Sequence, residues 1–264
     1  MGLAGMGWHK QTVMSGGVRL AVRDSGGDGT VAVLLHGLGA PQRSWDRVAP
    51  LLAPHLRVVT YDQRGHGASA AASGYSLDAF LADLQAVRDA LALEQPLLVG
   101  HSFGGLLAVE HAAAHPGCAG VVGVDGGLKI QRPPIGWEEV QTQLDRPVTR
   151  LLSRAVTAIG MGTRLSFTEL RRIVDEAAER EEHLEEAYAR LPCPMLVVLA
   201  GKADPVPYGE AMLAAVNTAA TRLQQHHPQV KLARLPCGHN IPLKRPRELA
   251  DLIIRFAAAS AVQR

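Results

Sequence analysis

Five short apolar runs, Val31–Leu35, Arg57–Tyr61, Leu97–Gly100, Val121–Val124 and Met195–Ala200, recur along the chain. Between the first four lie Trp45–Leu52, Leu77–Leu93 and Gly105–His115, whose apolar residues fall at helical spacing. Continuous apolar runs of this length suit strands buried on both faces, and strands that alternate with helices build a parallel sheet covered on both sides. The order therefore predicts a doubly wound, mostly parallel α/β fold with helices on both faces. Ahead of it, Lys10–Ser15 and Arg19–Ser25 alternate around Gly16-Gly17 and read as an antiparallel hairpin. A last strand is expected at Lys231–Leu235 and a final helix near Arg247–Ala258.

The alternation stops after Asp125 and resumes only at Pro192. The gap contains Pro133-Pro134, Trp137 and a helical stretch over Phe167–Leu191 that begins with the capping-box pattern Ser166-Phe-Thr-Glu169. This reads as a helical cap over 129–191 inserted into a core domain made of 1–128 and 192–264, a reasonable division for 264 residues. The charged stretch Glu179–Glu186 reads as a solvated helix face. A net charge of +2 without a dense Lys/Arg run points away from nucleic acid and anionic membranes and towards a small-molecule substrate. Cys118, Cys193 and Cys237 are odd in number and lack a CxxC spacing, which speaks against a disulfide framework and a zinc site. With no long apolar run and no basic leader, the expected location is the cytoplasm.

The chemistry concentrates where the Leu97–Gly100 run passes into a helix through Gly100-His101-Ser102-Phe103-Gly104, a G-x-S-x-G pattern. Flanking glycines permit a sharp strand-to-helix turn that lifts the serine hydroxyl above the sheet, and the following helix N-terminus favours negative charge nearby. A serine needs a base to become a nucleophile at neutral pH, and the base needs an orienting partner. Of the 11 histidines, His239 alone follows the last strand on a glycine-flanked loop downstream of Ser102. Asp204, after Met195–Ala200, is the expected orienting acid; Asp125 also ends a strand before a glycine turn and competes for the role. The backbone N–H groups of Leu38, in His36-Gly-Leu-Gly39, and of Phe103 are the expected oxyanion donors. His36 and His66 have structural readings; His101, wedged inside the elbow, and the cap residues Ile135 and Trp137, with Phe167 and Met161, are candidates to line the substrate pocket. His111 and His115 stand four apart on a helix without a following carboxylate, so no metal is expected, and Cys237 reads as a packed residue.

His36-Gly-Leu-Gly39, Asp62-Gln-Arg-Gly-His-Gly-Ala-Ser69, Gly100-His-Ser-Phe-Gly-Gly105, Gly201-x-x-Asp204 and Gly238-His239 together resemble the α/β-hydrolase superfamily from about Val31 to the C-terminus, the cap excepted. The resemblance implies an oxyanion loop, a structural turn, a nucleophile elbow, an acid and a base at those positions, and no cofactor. The near-neutral composition and the apolar cap residues Ile135 and Trp137, with Phe167 and Met161, point to cleavage of a small, largely apolar ester or lactone. Thioesterase, C–C hydrolase and cofactor-free haloperoxidase chemistry would use the same triad, and a serine at the elbow argues against dehalogenase or epoxide hydrolase chemistry. Some hormone receptors share the fold and its triad; multiple turnover on p-nitrophenyl esters separates an enzyme from such a receptor.

Overall fold

In a computed structural model the described residues are 7–131, 137–147, 149, 157, 162–206 and 209–262. Gly16 and Gly17 adopt φ of +52° and +81°, the paired left-handed conformation of a two-residue hairpin turn. They join β1 (His9–Ser15) to β2 (Val18–Asp24) in register from Ser15↔Val18 to His9↔Asp24. The remaining strands are β3 (Val31–Leu35), β4 (Arg57–Tyr61), β5 (Leu97–His101), β6 (Gly120–Val124), β7 (Met195–Ala200) and β8 (Lys231–Leu235). They form one sheet in the order β1-β2-β4-β3-β5-β6-β7-β8, antiparallel at β1/β2 and β2/β4 and parallel from β4 to β8.

Alternate strand residues feed two apolar layers, as the period of a β-strand requires. Ala32, Leu34, Val58, Leu97 and Val99 pack with α1 (Ala49–Leu52) and the C-terminal helix Pro246–Val262. Val33, Leu35, Leu98 and Val197 pack with α2 (Leu77–Ala90) and α3 (Phe103–Ala114) on the other face. The expected helix at Trp45–Leu52 divides into a tight 3-10 turn at Gln42–Trp45 and the short α1, because Pro50 enters its first turn and fully buried Trp45 anchors the preceding one.

Between β6 and β7 lie α4 (Trp137–Asp145), α5 (Phe167–Glu182) and α6 (Leu184–Arg190). The capping box forms: the Ser166 hydroxyl accepts from the Glu169 N–H while the Glu169 carboxylate accepts from the Ser166 N–H. One long helix was expected over Phe167–Leu191; the chain instead breaks at His183. The break turns Leu184, Ala187 and Tyr188 into the same apolar layer as α3. Glu181 is buried, so the charged stretch is not solvated throughout; Arg180 reaches Glu110 of α3 at 2.9 Å and Asp78 of α2 at 3.0 Å. The Tyr188 hydroxyl donates to the Gly127 carbonyl at 2.8 Å in a buried setting. Tyr188→Phe leaves that carbonyl without its partner and is expected to cost about 1 kcal/mol, read as a lower urea midpoint at unchanged slope.

After β7 comes α7 (Gly209–His226), a helix beyond those expected from the sequence. Its residues Met212, Val216, Ala219 and Leu223 recur at helical spacing, three of them buried. After β8 come α8 (Ile241–Lys244) and α9 (Pro246–Val262). Among the described residues no helix is long and apolar enough to cross a membrane.

Candidate active site

The parallel strands β3 to β8 run in one direction, so their carboxyl ends share one edge of the sheet, the edge where open α/β sheets hold their ligands. Ser102 sits there between β5 and α3 with φ +52° and ψ −118°, a conformation that costs a non-glycine residue about 1–3 kcal/mol. The turn closes only because its glycines carry no side chain. A Cβ on Gly100 would enter the backbone of Gly104, and one on Gly126 the backbone of Ser102 itself. The Ser102 N–H donates to the Val124 carbonyl at 3.0 Å, and the Ser102 carbonyl accepts from the Gly105 N–H at 2.8 Å, so the elbow is tied to β6 and α3 at once.

The His36–Gly39 turn lies against this elbow: a Cβ on Gly37 would stand 3.3 Å from Ser102 Cβ. Phe103 is the first residue of α3, so its N–H has no acceptor within the helix. The turn is held from behind by two imidazoles. His66 Nε2 accepts from the Gly39 N–H at 3.0 Å while its Nδ1 faces the Arg64 carbonyl at 2.8 Å. His36 Nε2 accepts from the Gln63 N–H at 3.0 Å while its Nδ1 faces the Gly37 carbonyl at 2.9 Å. Both rings are therefore neutral and protonated on Nδ1. Burial drives their pKa values down, to about 4 for His36 and about 3 for His66, against a smaller upward pull from the carbonyl each ring faces.

His239 follows β8, and its ring is held by Asp125: Nδ1 lies 2.7 Å from Asp125 Oδ2. The other Asp125 oxygen accepts the Ala200 N–H at 2.9 Å, and its side chain is 5% exposed against 47% for His239. Asp204, the acid expected at this ring, meets His239 elsewhere. Its Oδ2 accepts the backbone N–H of His239 at 2.9 Å, and its Oδ1 pairs with Lys244 at 3.1 Å. Burial raises the Asp204 pKa, but these two donors outweigh it and hold the carboxyl below its ordinary value. The sheet order explains the exchange. A residue after β8 whose ring points towards Ser102, after β5, must cross the ends of β7 and β6. Its backbone then lies over Asp204, after β7, and its ring over Asp125, after β6. Close fit at the clamp is enforced by Gly238, where any Cβ would enter the Asp204 carboxylate.

Ser102, Asp125 and His239 line one cavity of about 520 Å³. Among the described residues no hydrogen bond joins the Ser102 hydroxyl to the His239 ring, and the two residues share the lining of this cavity. Neither His101 nor Trp137 lines it. The His101 ring is buried, with Nε2 donating to the His239 carbonyl at 2.9 Å and the two rings 4.8 Å apart. Burial and the neighbouring His239 lower its pKa to about 4. Trp137 packs edge-on against Phe167, with the Arg171 guanidinium 5.9 Å from its ring. Ile135 and Met161 lie outside the described residues. The cavity is lined instead by the loop after β7, by Met212, Leu213 and Val216 of α7, and by Ile130 and Val174. His111 and His115 stack at 4.4 Å, and the described residues contain no cluster suited to a metal ion. Cys237 is buried and its thiol is pushed up by that burial.

A family model described as the alpha/beta hydrolase family matches residues 32–252. The chain is 28% identical to lipase LipV of Mycobacterium tuberculosis over 89% of its own length and 97% of the lipase. It is 36% identical to a 2-hydroxy-6-oxo-2,4-heptadienoate hydrolase of Pseudomonas putida, over 39% of each chain. The chain likewise spans only about a third of the length of two relatives that it matches, one from Yersinia enterocolitica and one from Synechocystis. Among solved structures, a carboxylesterase structure from Nitrososphaera gargenis superposes with a TM-score of 0.76 at 17% identity, covering 97% of this chain and all of that one. At that identity the likeness is one of fold.

Proposed function

The chain belongs to the alpha/beta hydrolase family, and on that premise we propose that it is a serine hydrolase that cleaves a small, largely apolar carboxylic ester or lactone through an acyl-enzyme on Ser102. The observation that carries the reading is the 2.7 Å contact between His239 Nδ1 and Asp125 in a cavity that Ser102 also lines. Asp125 fixes the tautomer that leaves Nε2 free to accept a proton. In the proposed reaction Ser102 Oγ attacks the substrate carbonyl and passes its proton to His239 Nε2. Negative charge gathers on the carbonyl oxygen between the N–H groups of Leu38 and Phe103. The protonated ring, stabilised by Asp125, then donates to the leaving oxygen, and water repeats the sequence to release the acid.

Asp204 acts in this reading as a clamp on the His239 loop rather than as the ring's partner. Residues 129–191 form the cap and 1–128 with 192–264 the catalytic core. The apolar lining from Ile130, Val174, Met212, Leu213 and Val216 supports an apolar substrate. The folded protein treated with a fluorophosphonate is expected to carry one covalent adduct, mapped to Ser102 by peptide mass spectrometry and absent from Ser102→Ala. An unlabelled wild-type protein that retains its fold would sink the proposal.

A further inference from the structure

The cavity is not placed symmetrically about the nucleophile. It touches Ser102 and then extends along His239, the loop after β7 and the inner face of α7, where Met212, Leu213 and Val216 line it. Among the described residues the two oxyanion donors, Leu38 and Phe103, are not part of its wall. In ester cleavage by a serine and a histidine, three groups leave the tetrahedral carbon in different directions: the oxyanion towards its N–H donors, the leaving oxygen towards the imidazolium that protonates it, and the acyl substituent away from both. A pocket walled by the imidazole and not by the oxyanion donors lies on the leaving-group side. We infer that this cavity takes the alcohol portion of the substrate, that this portion is an apolar chain or ring, and that α7, through Met212 and Val216, sets its size. The inference rests on the serine hydrolase reading and adds a direction to it. Val216 is buried and faces the cavity, so a larger side chain there shortens it; Met212 is half-buried, so truncation lengthens it.

Two substrate series separate the leaving-group side from the acyl side. One holds the acyl group at acetate and varies the alcohol from methyl to butyl to octyl. The other holds the alcohol at methanol and varies the acyl group from acetyl to butanoyl to octanoyl. In the wild type kcat/KM is expected to climb along the alcohol series by about fourfold per methylene that enters the pocket. Val216→Phe is expected to lower kcat/KM on octyl acetate by about tenfold or more, equivalent to losing two or more buried methylenes, while methyl acetate and the whole acyl series stay near wild type. Met212→Ala is expected to shift the alcohol optimum the opposite way. Fluorophosphonate labelling of each variant at the wild-type rate establishes that it is folded with Ser102 reactive. If labelling is intact but the acyl series shifts, or neither series does, the inference is overturned and the hydrolase reading stands. If the wild type itself does not label, the hydrolase reading fails first.

Discussion

Asp125→Asn is expected to lower kcat by about 10⁴-fold, whereas Asp204→Asn is expected to cost about fivefold or less. The difference follows from which atoms of His239 each carboxylate holds. Asp125 Oδ2 accepts from Nδ1 of the ring, and an amide in its place can turn its NH₂ towards Nδ1, which then becomes the acceptor. The proton moves to Nε2, and a ring carrying a proton there cannot take one from Ser102. The amide oxygen can still accept the Ala200 N–H at the other end of the side chain, so the fold is expected to survive and the loss to fall on kcat. Among the described residues, Asp204 holds the His239 backbone N–H and Lys244 and does not reach the ring. Asparagine keeps an acceptor for the N–H and gives up a partly exposed ion pair, an interaction worth at most about 1 kcal/mol. Steady-state hydrolysis of a p-nitrophenyl ester by the two variants, each checked for its unfolding midpoint, reads the outcome. The reverse ranking would return the orienting role to Asp204.

This exchange marks where the sequence stops being legible. Ser102 stands out in the sequence because its setting is local: two glycines, a buried strand before it and a helix after it confine the backbone within five residues. His239 stands out by its place after the last strand. The choice between Asp125 and Asp204 depends on which strand end the imidazole crosses, and that is a property of the sheet order, not of either aspartate's neighbours. Both follow buried strands and precede turns, so their local sequences are equivalent. The same cause hides which residues line the cavity. Trp137 reads as an apolar pocket residue, but it is spent on Phe167 and Arg171. The wall comes from α7, whose spacing is helical yet diluted by Ala, Thr, Asn and Gln. The strands were legible to within a residue or two because continuous apolar runs have few other uses in a chain of this composition.

Acid is expected to unfold the protein well before its carboxylates titrate. His36, His66 and His101 are 0%, 0% and 7% exposed, and burial lowers their pKa values to about 4, 3 and 4. In the unfolded chain the same groups titrate near the ordinary value of about 6.5. Between these limits the unfolded state binds protons that the folded state refuses, so stability is complete above pH ~6.5 and is lost as the pH falls towards about 4. At pH 5 each ring costs about 2 kcal/mol, and the three together about 6 kcal/mol, against a total stability of about 5–15 kcal/mol for a typical domain. The hydrogen bonds make the effect cooperative with the site. Protonating His66 Nε2 removes the acceptor of the Gly39 N–H, and protonating His36 Nε2 removes that of Gln63, so the turn carrying Leu38 loses its support as the rings charge. Urea unfolding at pH 7.5 and pH 5.0 is expected to show a large drop in midpoint. In His66→Gln, which cannot protonate but retains a carbonyl oxygen to face Gly39, the gap between the two pH values is expected to shrink by one ring's share, about 2 kcal/mol. An unchanged gap would place the acid sensitivity outside these rings.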